Sequence, residues 1–323
     1  MASRYLEEVR HRVVVFDGAM GTNIQARKLK KQDFLDGKEG WNESLVLTRP
    51  DVIANIHESF LAAGCDVLET NTFGANRLKL GEYGHGTADD VRRINLAAAQ
   101  LARHCADKFA APDRPRFVAG AVGPTGMLPS TDDPELGGIS FDQLADIFAE
   151  QAQPLVEGGC DLLLIETSQD MLEVKAAVAG FRQCFRAVGR SLPIQAQVTL
   201  DVTQRMLLGT DIGAAMTTLE ALRVDVIGLN CSTGPREMRD PVRFLCEHSR
   251  RPVSVIPNAG IPENRDGQAV YPETPADFAR HLGEFVAEFG VNVVGGCCGT
   301  TPEHLRAVVE VLARVRPKKR ELA

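Results

Sequence analysis

Eight short β-branched runs, each followed by a longer stretch whose apolar residues recur three and four apart, predict an α/β fold: a single (β/α)8 barrel, or TIM barrel. Glycines and prolines bound the runs, as expected of buried parallel strands. The chain has 323 residues, a length that α/β barrels with insertions reach as one domain.

The first four runs are Val13–Phe16, Val67–Thr70, Phe117–Gly120 and Leu162–Ile165. The next four are Ile194–Val198, Val226–Leu229, Val253–Ile256 and Val291–Val294. Helices are expected over Pro50–Ala63, Asp89–Phe109, Phe141–Val156, Met171–Val188, Ile212–Leu222, Arg236–His248, Ala276–Phe289 and Pro302–Val315. A doubly wound sheet is the competing arrangement, but it usually stops at fewer strands. No repeat beyond the strand–helix period is visible. Gly123–Ile139, rich in Gly, Pro and Asp, reads as a long βα loop. The barrel is expected over residues 1–315. Residues 316–323 read as a basic tail, a frayed end or the start of a linker.

Composition excludes several functions. Net charge is −7, and no basic run precedes the tail, which argues against nucleic acid as a partner. The first apolar run, Val13–Phe16, is too short for a signal core. No apolar stretch approaches the ~20 residues of a membrane helix. The expectation is a cytoplasmic protein with no membrane partner. In that compartment cysteines point to metal or catalysis more than to disulfides. Of the eight cysteines, Cys65, Cys105, Cys160, Cys184 and Cys246 lie on expected helices or just before strands and read as small buried apolar residues.

Cys231, Cys297 and Cys298 differ. The sixth strand runs into Gly228-Leu229-Asn230-Cys231-Ser232-Thr233-Gly234-Pro235, and the eighth into Gly295-Gly296-Cys297-Cys298-Gly299-Thr300-Thr301. In a barrel the C-terminal strand ends converge on one face, so three thiols from distant parts of the chain can meet there. Three thiolates suit Zn²⁺, and three protein ligands with one position open is the catalytic arrangement. Such a zinc is electron-rich and a weak Lewis acid toward water. It can still bind a substrate thiol and lower its pKa from ~8.5. That chemistry is thiol alkylation.

At this point the sequence resembles the homocysteine S-methyltransferase family over nearly its whole length. The matching segments are Asp17-Gly18-Ala19-Met20-Gly21-Thr22, Glu69-Thr70-Asn71-Thr72-Phe73, Gly123-Pro124-Thr125-Gly126, Leu164-Ile165-Glu166-Thr167, Gly228-Leu229-Asn230-Cys231, Pro257-Asn258-Ala259-Gly260 and Gly295-Gly296-Cys297-Cys298-Gly299-Thr300. The likeness is greatest to the homocysteine-binding modules of the cobalamin-dependent methionine synthases. It implies Cys231, Cys297 and Cys298 as zinc ligands and catalytic residues. It also implies that Asp17 and Glu166 hold a substrate α-ammonium, as carboxylates at strand ends are able to do. Backbone N–H groups near Gly18 and Thr70 are candidates for the α-carboxylate. By resemblance, the Asn258 amide oxygen approaches the metal when no thiol is bound.

The methyl donor is less legible. Members of the family use a methylated corrinoid, betaine or S-methylmethionine. The betaine enzymes carry an aromatic residue where Gly74 stands, and an aromatic face is what stabilises a quaternary ammonium. The chain also lacks a D-x-H-x-x-G cobalamin motif. Methylcobalamin is therefore expected on another module or chain, with cobalamin- and folate-binding modules as partners. The alternatives are a stand-alone homocysteine methyltransferase using S-methylmethionine or betaine, and a zinc-dependent thiol-binding or sensing module without turnover. A lyase-type barrel would need a Lys or His at a strand end, and none is found. Gly81–Gly86 lacks the context of a phosphate loop. His57 and His104 read as surface or packing residues, and Trp41 as a mouth residue or a loop pin.

Overall fold

The computed structural model describes residues 3–265 and 267–322. The parallel strands are β1 Val14–Val15, β2 Val67–Glu69, β3 Phe117–Val122, β4 Leu162–Ser168, β5 Ile194–Val198, β6 Val226–Asn230, β7 Val253–Ile256 and β8 Val293–Val294. Neighbours in sequence are neighbours in the sheet, and β8 pairs with both β7 and β1. The ring closes between β1 and β2, where Phe16 bridges Val67 and Asp17 N donates to Val67 O at 2.9 Å. The fold is the expected α/β barrel.

Strand residues alternate between two cores. Inside the ring, Val14, Phe16, Val67, Phe117, Leu162, Leu164, Val226 and Val293 pack together. Their neighbours Val15, Leu68, Val118, Leu163, Ile165, Ile227 and Val255 face the helices. Both faces are apolar, which is why the strands read as continuous hydrophobic runs.

A helix at Arg4–His11, absent from the sequence reading, closes the N-terminal end of the ring. Ser3 caps it, and its buried face is Tyr5 and Val9. The Tyr5 ring meets Phe16 and Phe117 edge-on at 6.3 and 5.7 Å, and its hydroxyl donates to Gln195 Oε1 at 2.6 Å. Above this plug, Gln195 and Gln197 both donate to Ser254 Oγ, at 3.1 and 2.7 Å. The barrel is therefore filled from below, and its free volume is at the C-terminal strand ends.

Most helices match their expected spans. Pro50–Ala63 and Met171–Val188 agree end to end. The expected Ala276–Phe289 helix is an α-helix over Pro275–Glu284 that widens into a π turn at Phe285–Phe289. The last helix stops at Leu312 rather than Val315. Short helices at Met20–Ala26, Leu45–Thr48 and Arg77–Glu82 were not foreseen. The tail is not frayed: Arg320 donates to Cys246 O, Ser249 O and Asn292 Oδ1 at 2.8, 2.6 and 3.1 Å. Trp41 is fully buried and stacked on Tyr83, so it pins its loop. His57 is a packing residue whose pKa burial pushes down to about 4, and His104 is exposed. No helix of the described residues is long and apolar enough to cross a membrane.

Tyr5→Phe tests the plug. It leaves Gln195 Oε1 buried without its donor, and should cost about 1–3 kcal/mol in chemical denaturation with the fold retained. A loss below a few tenths would show that the hydroxyl bond does not matter.

Candidate metal centre

Two sharp turns bring the thiols together. After β6, Cys231 and Ser232 both adopt left-handed φ, +59° and +63°. The turn is tied back by Cys231 N donating to Ile256 O at 3.1 Å. After β8, Cys297 N donates to Pro257 O at 2.7 Å and Thr300 N to Cys297 O at 3.1 Å. Gly299 supplies φ +80°. As a result the Sγ atoms of Cys231, Cys297 and Cys298 all lie within 4.8 Å of one another, and Cys231 and Cys298 are 4.0 Å apart. The other five cysteines are buried elsewhere, as expected.

The thiols titrate as a group. Cys298 is pushed down to about 3, first because Cys231 and then Cys297 hydrogen-bond to it. Cys297 moves well up, because its hydrogen bonds with Cys231 and Cys298 favour its protonated form. For Cys231, the bond with Cys297 pulls downward, but Cys298 and burial together carry it to about 12.

The cluster forms part of a cavity of about 240 Å³ at the C-terminal strand ends. Asp17, Gly18, Thr70 and Glu166 also line it. Asp17 ends its strand buried, and both its carboxylate oxygens accept from Glu69 N at 3.2 Å. Burial raises its pKa well above the ordinary carboxyl value, and Glu166 adds to the rise. Burial also carries Glu166 up to about 7, helped by the negative charge of Cys298. Asn230 orients this region: its Nδ2 donates to Glu166 Oε2 at 3.3 Å, and its Oδ1 accepts from Thr167 N at 2.7 Å.

Sequence reasoning missed Glu69 and Glu43, which line the same cavity. Burial, then Glu166, then Asp17 raise Glu69 well above its usual range. Its signal was available, since Glu69 is the last residue of β2 and so an acid at a barrel strand end. Glu43 had none, because it comes from a loop distant in sequence. Among the described residues, no Lys, Arg or His lines this cavity. A larger and more open cleft of about 450 Å³ lies beside Arg236, Glu237 and Asp277. It contains no thiol, so the smaller cavity is the candidate site.

Two expected residues need adjustment. Thr70 lines the cavity, but its N–H is committed to Ala119 O at 2.9 Å as part of the sheet. It cannot serve a ligand. The N–H groups of Gly18 and Asn71 find no acceptor among the described residues. Asn258 is not at the cavity wall. It sits between the cysteine turns, with its N donating to Thr233 O at 3.1 Å while Ala259 N donates to Cys298 O at 2.9 Å. Its Oδ1 is buried and without a partner. Three clustered thiols beside an orphaned amide oxygen are a donor set that fits Zn²⁺.

The loop Gly123–Ile139 is anchored by two acids. Asp170 accepts from Ser130 N and Oγ at 2.8 and 2.6 Å. Glu173 accepts from Thr125 N at 2.8 Å and from the Thr125 hydroxyl. Burial pushes Glu173 up to about 7, against the pull of those bonds.

Fold and site together define a thiol-rich barrel of the methyltransferase type. The chain belongs to the homocysteine S-methyltransferase family, whose pattern it matches over residues 14–312. It is 46% identical over 318 residues to a methionine synthase of Mycobacterium tuberculosis (strain ATCC 25618 / H37Rv), covering 98% of this chain and 26% of that protein. It is also 46% identical over 309 residues to the methionine synthase of Mycobacterium leprae (strain TN), covering 96% and 25%. The chain thus spans about a quarter of the length of these relatives. The metallated form of the homocysteine methyltransferase MmuM from Escherichia coli superposes with a TM-score of 0.74 at 23% identity, covering 96% of this chain and 99% of that one. That likeness is one of fold.

Glu173 gives a pH test of the loop anchor. Its folded pKa is about 7 against 4.5 for the free side chain. Between those values the native state holds a proton that the unfolded chain has lost, so this group's contribution to stability falls as pH rises. Glu173→Gln should flatten the pH dependence of the denaturation midpoint between pH 5 and roughly 7.5. An unchanged slope would show that Glu173 does not titrate there.

Proposed function

We propose that this barrel, residues 1–315 with the tail 316–323, holds Zn²⁺ through Cys231, Cys297 and Cys298 and activates homocysteine for methyl transfer to give methionine. The observation that carries this reading is the cluster of three thiols in a cavity also lined by Asp17, Glu43, Glu69 and Glu166. When bound, Zn²⁺ supplies a stable thiolate at neutral pH from a substrate thiol of pKa ~8.5. The chain's own groups do the rest. Asp17 and Glu166 accept hydrogen bonds from the α-ammonium, and Glu69 lines the cavity beside them. The Gly18 and Asn71 N–H groups take the α-carboxylate. Asn258 Oδ1, buried and without a partner, would approach the metal when no thiol is bound.

The methyl group is proposed to arrive as methylcobalamin on another module or chain, with cobalamin- and folate-binding modules as partners of this one. The quarter-length match to methionine synthases supports that view. Betaine is disfavoured by the surroundings of Gly74. A Cβ there would stand 2.9 Å from Glu43 Oε1, which also accepts from Gly74 N at 2.8 Å, so no aromatic side chain fits without displacing Glu43.

Metal analysis checks the ligands: Cys231→Ala should lose the one zinc that wild type retains. Stoichiometric zinc in a Cys231, Cys297 and Cys298 triple variant would end the assignment. Asp17→Asn and Glu166→Gln should keep zinc and weaken homocysteine binding by about 1.5–3 kcal/mol each. Unchanged affinity in both would remove them from the site.

Activation itself is read by calorimetry in buffers of different ionisation enthalpy. Homocysteine should release close to one proton on binding near neutrality, and methionine, which has no thiol, should release none. Binding without proton release would overturn the mechanism even with zinc in place. Methyl transfer from methylcobalamin, S-methylmethionine and betaine, assayed side by side, identifies the donor. Binding with no transfer from any of them would favour a thiol-sensing module.

A further inference from the structure

The strand ladder breaks where β4 enters the cavity. β4 and β5 pair regularly from Leu163 to Ile165, then slip register between Ile165 and Ser168. Glu166 and Thr167 occupy that bulge, and Thr167 takes left-handed φ, +56°. A bulge re-aims a side chain and frees a backbone group from the ladder. Here the side chain is Glu166, which lines the cavity, and the freed group is the Thr167 N–H.

Asn230, the last residue of β6, serves both by reaching past β5 to β4. Its Oδ1 accepts from Thr167 N at 2.7 Å, in place of a sheet carbonyl. Its Nδ2 donates to Thr167 Oγ1 at 2.9 Å and to Glu166 Oε2 at 3.3 Å. These partners fix the amide: turned over, it would set an N–H against an N–H and an oxygen against a carboxylate. Asn230 is held in turn through its carbonyl, which accepts from Thr199 Oγ1 at 2.8 Å. It is 1% exposed and lies outside the cavity wall. The residue after it is Cys231.

We propose that Asn230 is a positioning residue that makes the site select thiols bearing an α-ammonium. It holds the Glu166 carboxylate at a fixed place relative to the neighbouring Cys231. The inference rests on the homocysteine site proposed above. Glu166 is a long side chain on an irregular stretch of strand, and an acceptor aimed in advance binds an ammonium without the cost of being ordered first. Nδ2 engages Oε2 and leaves the other oxygen to the ligand. Only an amide meets these demands, because it supplies two protons and one acceptor, whereas a carboxylate has no proton and a hydroxyl has one. Asn230 thus ties the acceptor of the ammonium to the turn that carries a thiol, without touching the substrate.

The test compares two ligands by calorimetry on the zinc-loaded protein: homocysteine, and 4-mercaptobutanoate, which is homocysteine without its ammonium. In Asn230→Ala, homocysteine affinity should fall roughly 10-fold, the scale of one hydrogen bond to a charged group. Affinity for 4-mercaptobutanoate and zinc content should not change. Combined with Glu166→Gln, Asn230→Ala should weaken homocysteine no further than Glu166→Gln alone, since a residue acting through Glu166 then has nothing left to aim. If the alanine variant does not fold, Asn230→Asp keeps the acceptor for Thr167 N and removes the donor to Glu166. It should lose the same preference, because facing carboxyl groups share a proton. Equal weakening of both ligands, unchanged homocysteine affinity or an additive double variant would overturn the inference while the site stands. Equal wild-type affinity for the two ligands would instead overturn the ammonium reading and this inference with it.

Discussion

Four carboxyl groups and three thiols line one small cavity in which no basic side chain stands. Two like charges about 4 Å apart repel by about 4 kcal/mol even at an effective dielectric near 20. That is on the order of three pKa units. Cys231 and Cys298 are separated by this distance. Two thiolates there repel; hydrogen bonds among the sulfurs push Cys298 down and, with burial, carry Cys231 up, and burial first, then neighbouring negative charge, raises Asp17 and Glu166. The imbalance describes what the site accepts. A divalent cation would neutralise the sulfur side, and an organic ammonium the carboxylate side.

The barrel makes this concentration of charge possible. Its interior is filled from below by the Tyr5 plug and the Gln195–Ser254 layer, so polar groups have room only at the C-terminal strand ends. Reaching the cavity needs unusual backbone. Thr167, Cys231 and Ser232 all have positive φ although none is glycine. Such residues cost of order 1–3 kcal/mol each unless their surroundings enforce them. Asn230 does so for Thr167 by accepting its N–H, and β7 does so for Cys231 through Ile256 O. Strain and like charge therefore coincide at the same strand ends.

The features that the sequence revealed are those with a local signature. Strands buried on both faces become unbroken β-branched runs, so all eight were legible, although β1 and β8 pair over only two residues each. The cysteine turns announced themselves by their flanking glycines. Other features depend on distant partners. The Arg4–His11 helix buries only Tyr5 and Val9, too narrow an apolar stripe to distinguish from a polar terminus. Thr70 carried a family motif, yet sheet pairing uses the N–H that a ligand would need. Glu43 comes from a segment whose path no periodicity records. The tail read as frayed because its anchor, Arg320, bonds carbonyls that only the folded barrel assembles.

A site built this way works against the fold that carries it. Each carboxyl group raised by burial binds its proton more tightly in the native state than in the unfolded chain. Stability therefore falls as pH rises through the range where those groups ionise. At neutral pH the barrel bears both the cost of burying these acids and the strain of its turns. Ligands that bind only the native state return stability in proportion to the logarithm of their concentration over Kd. A cation on the sulfurs and an ammonium on the carboxylates would each relieve a different part of the repulsion. The second to bind then meets a site already less negative, so the attraction that draws in the ammonium is partly lost once the metal is present. Hydrogen bonds from the Gly18 and Asn71 N–H groups, which do not depend on net charge, would then hold the substrate while its sulfur meets the metal.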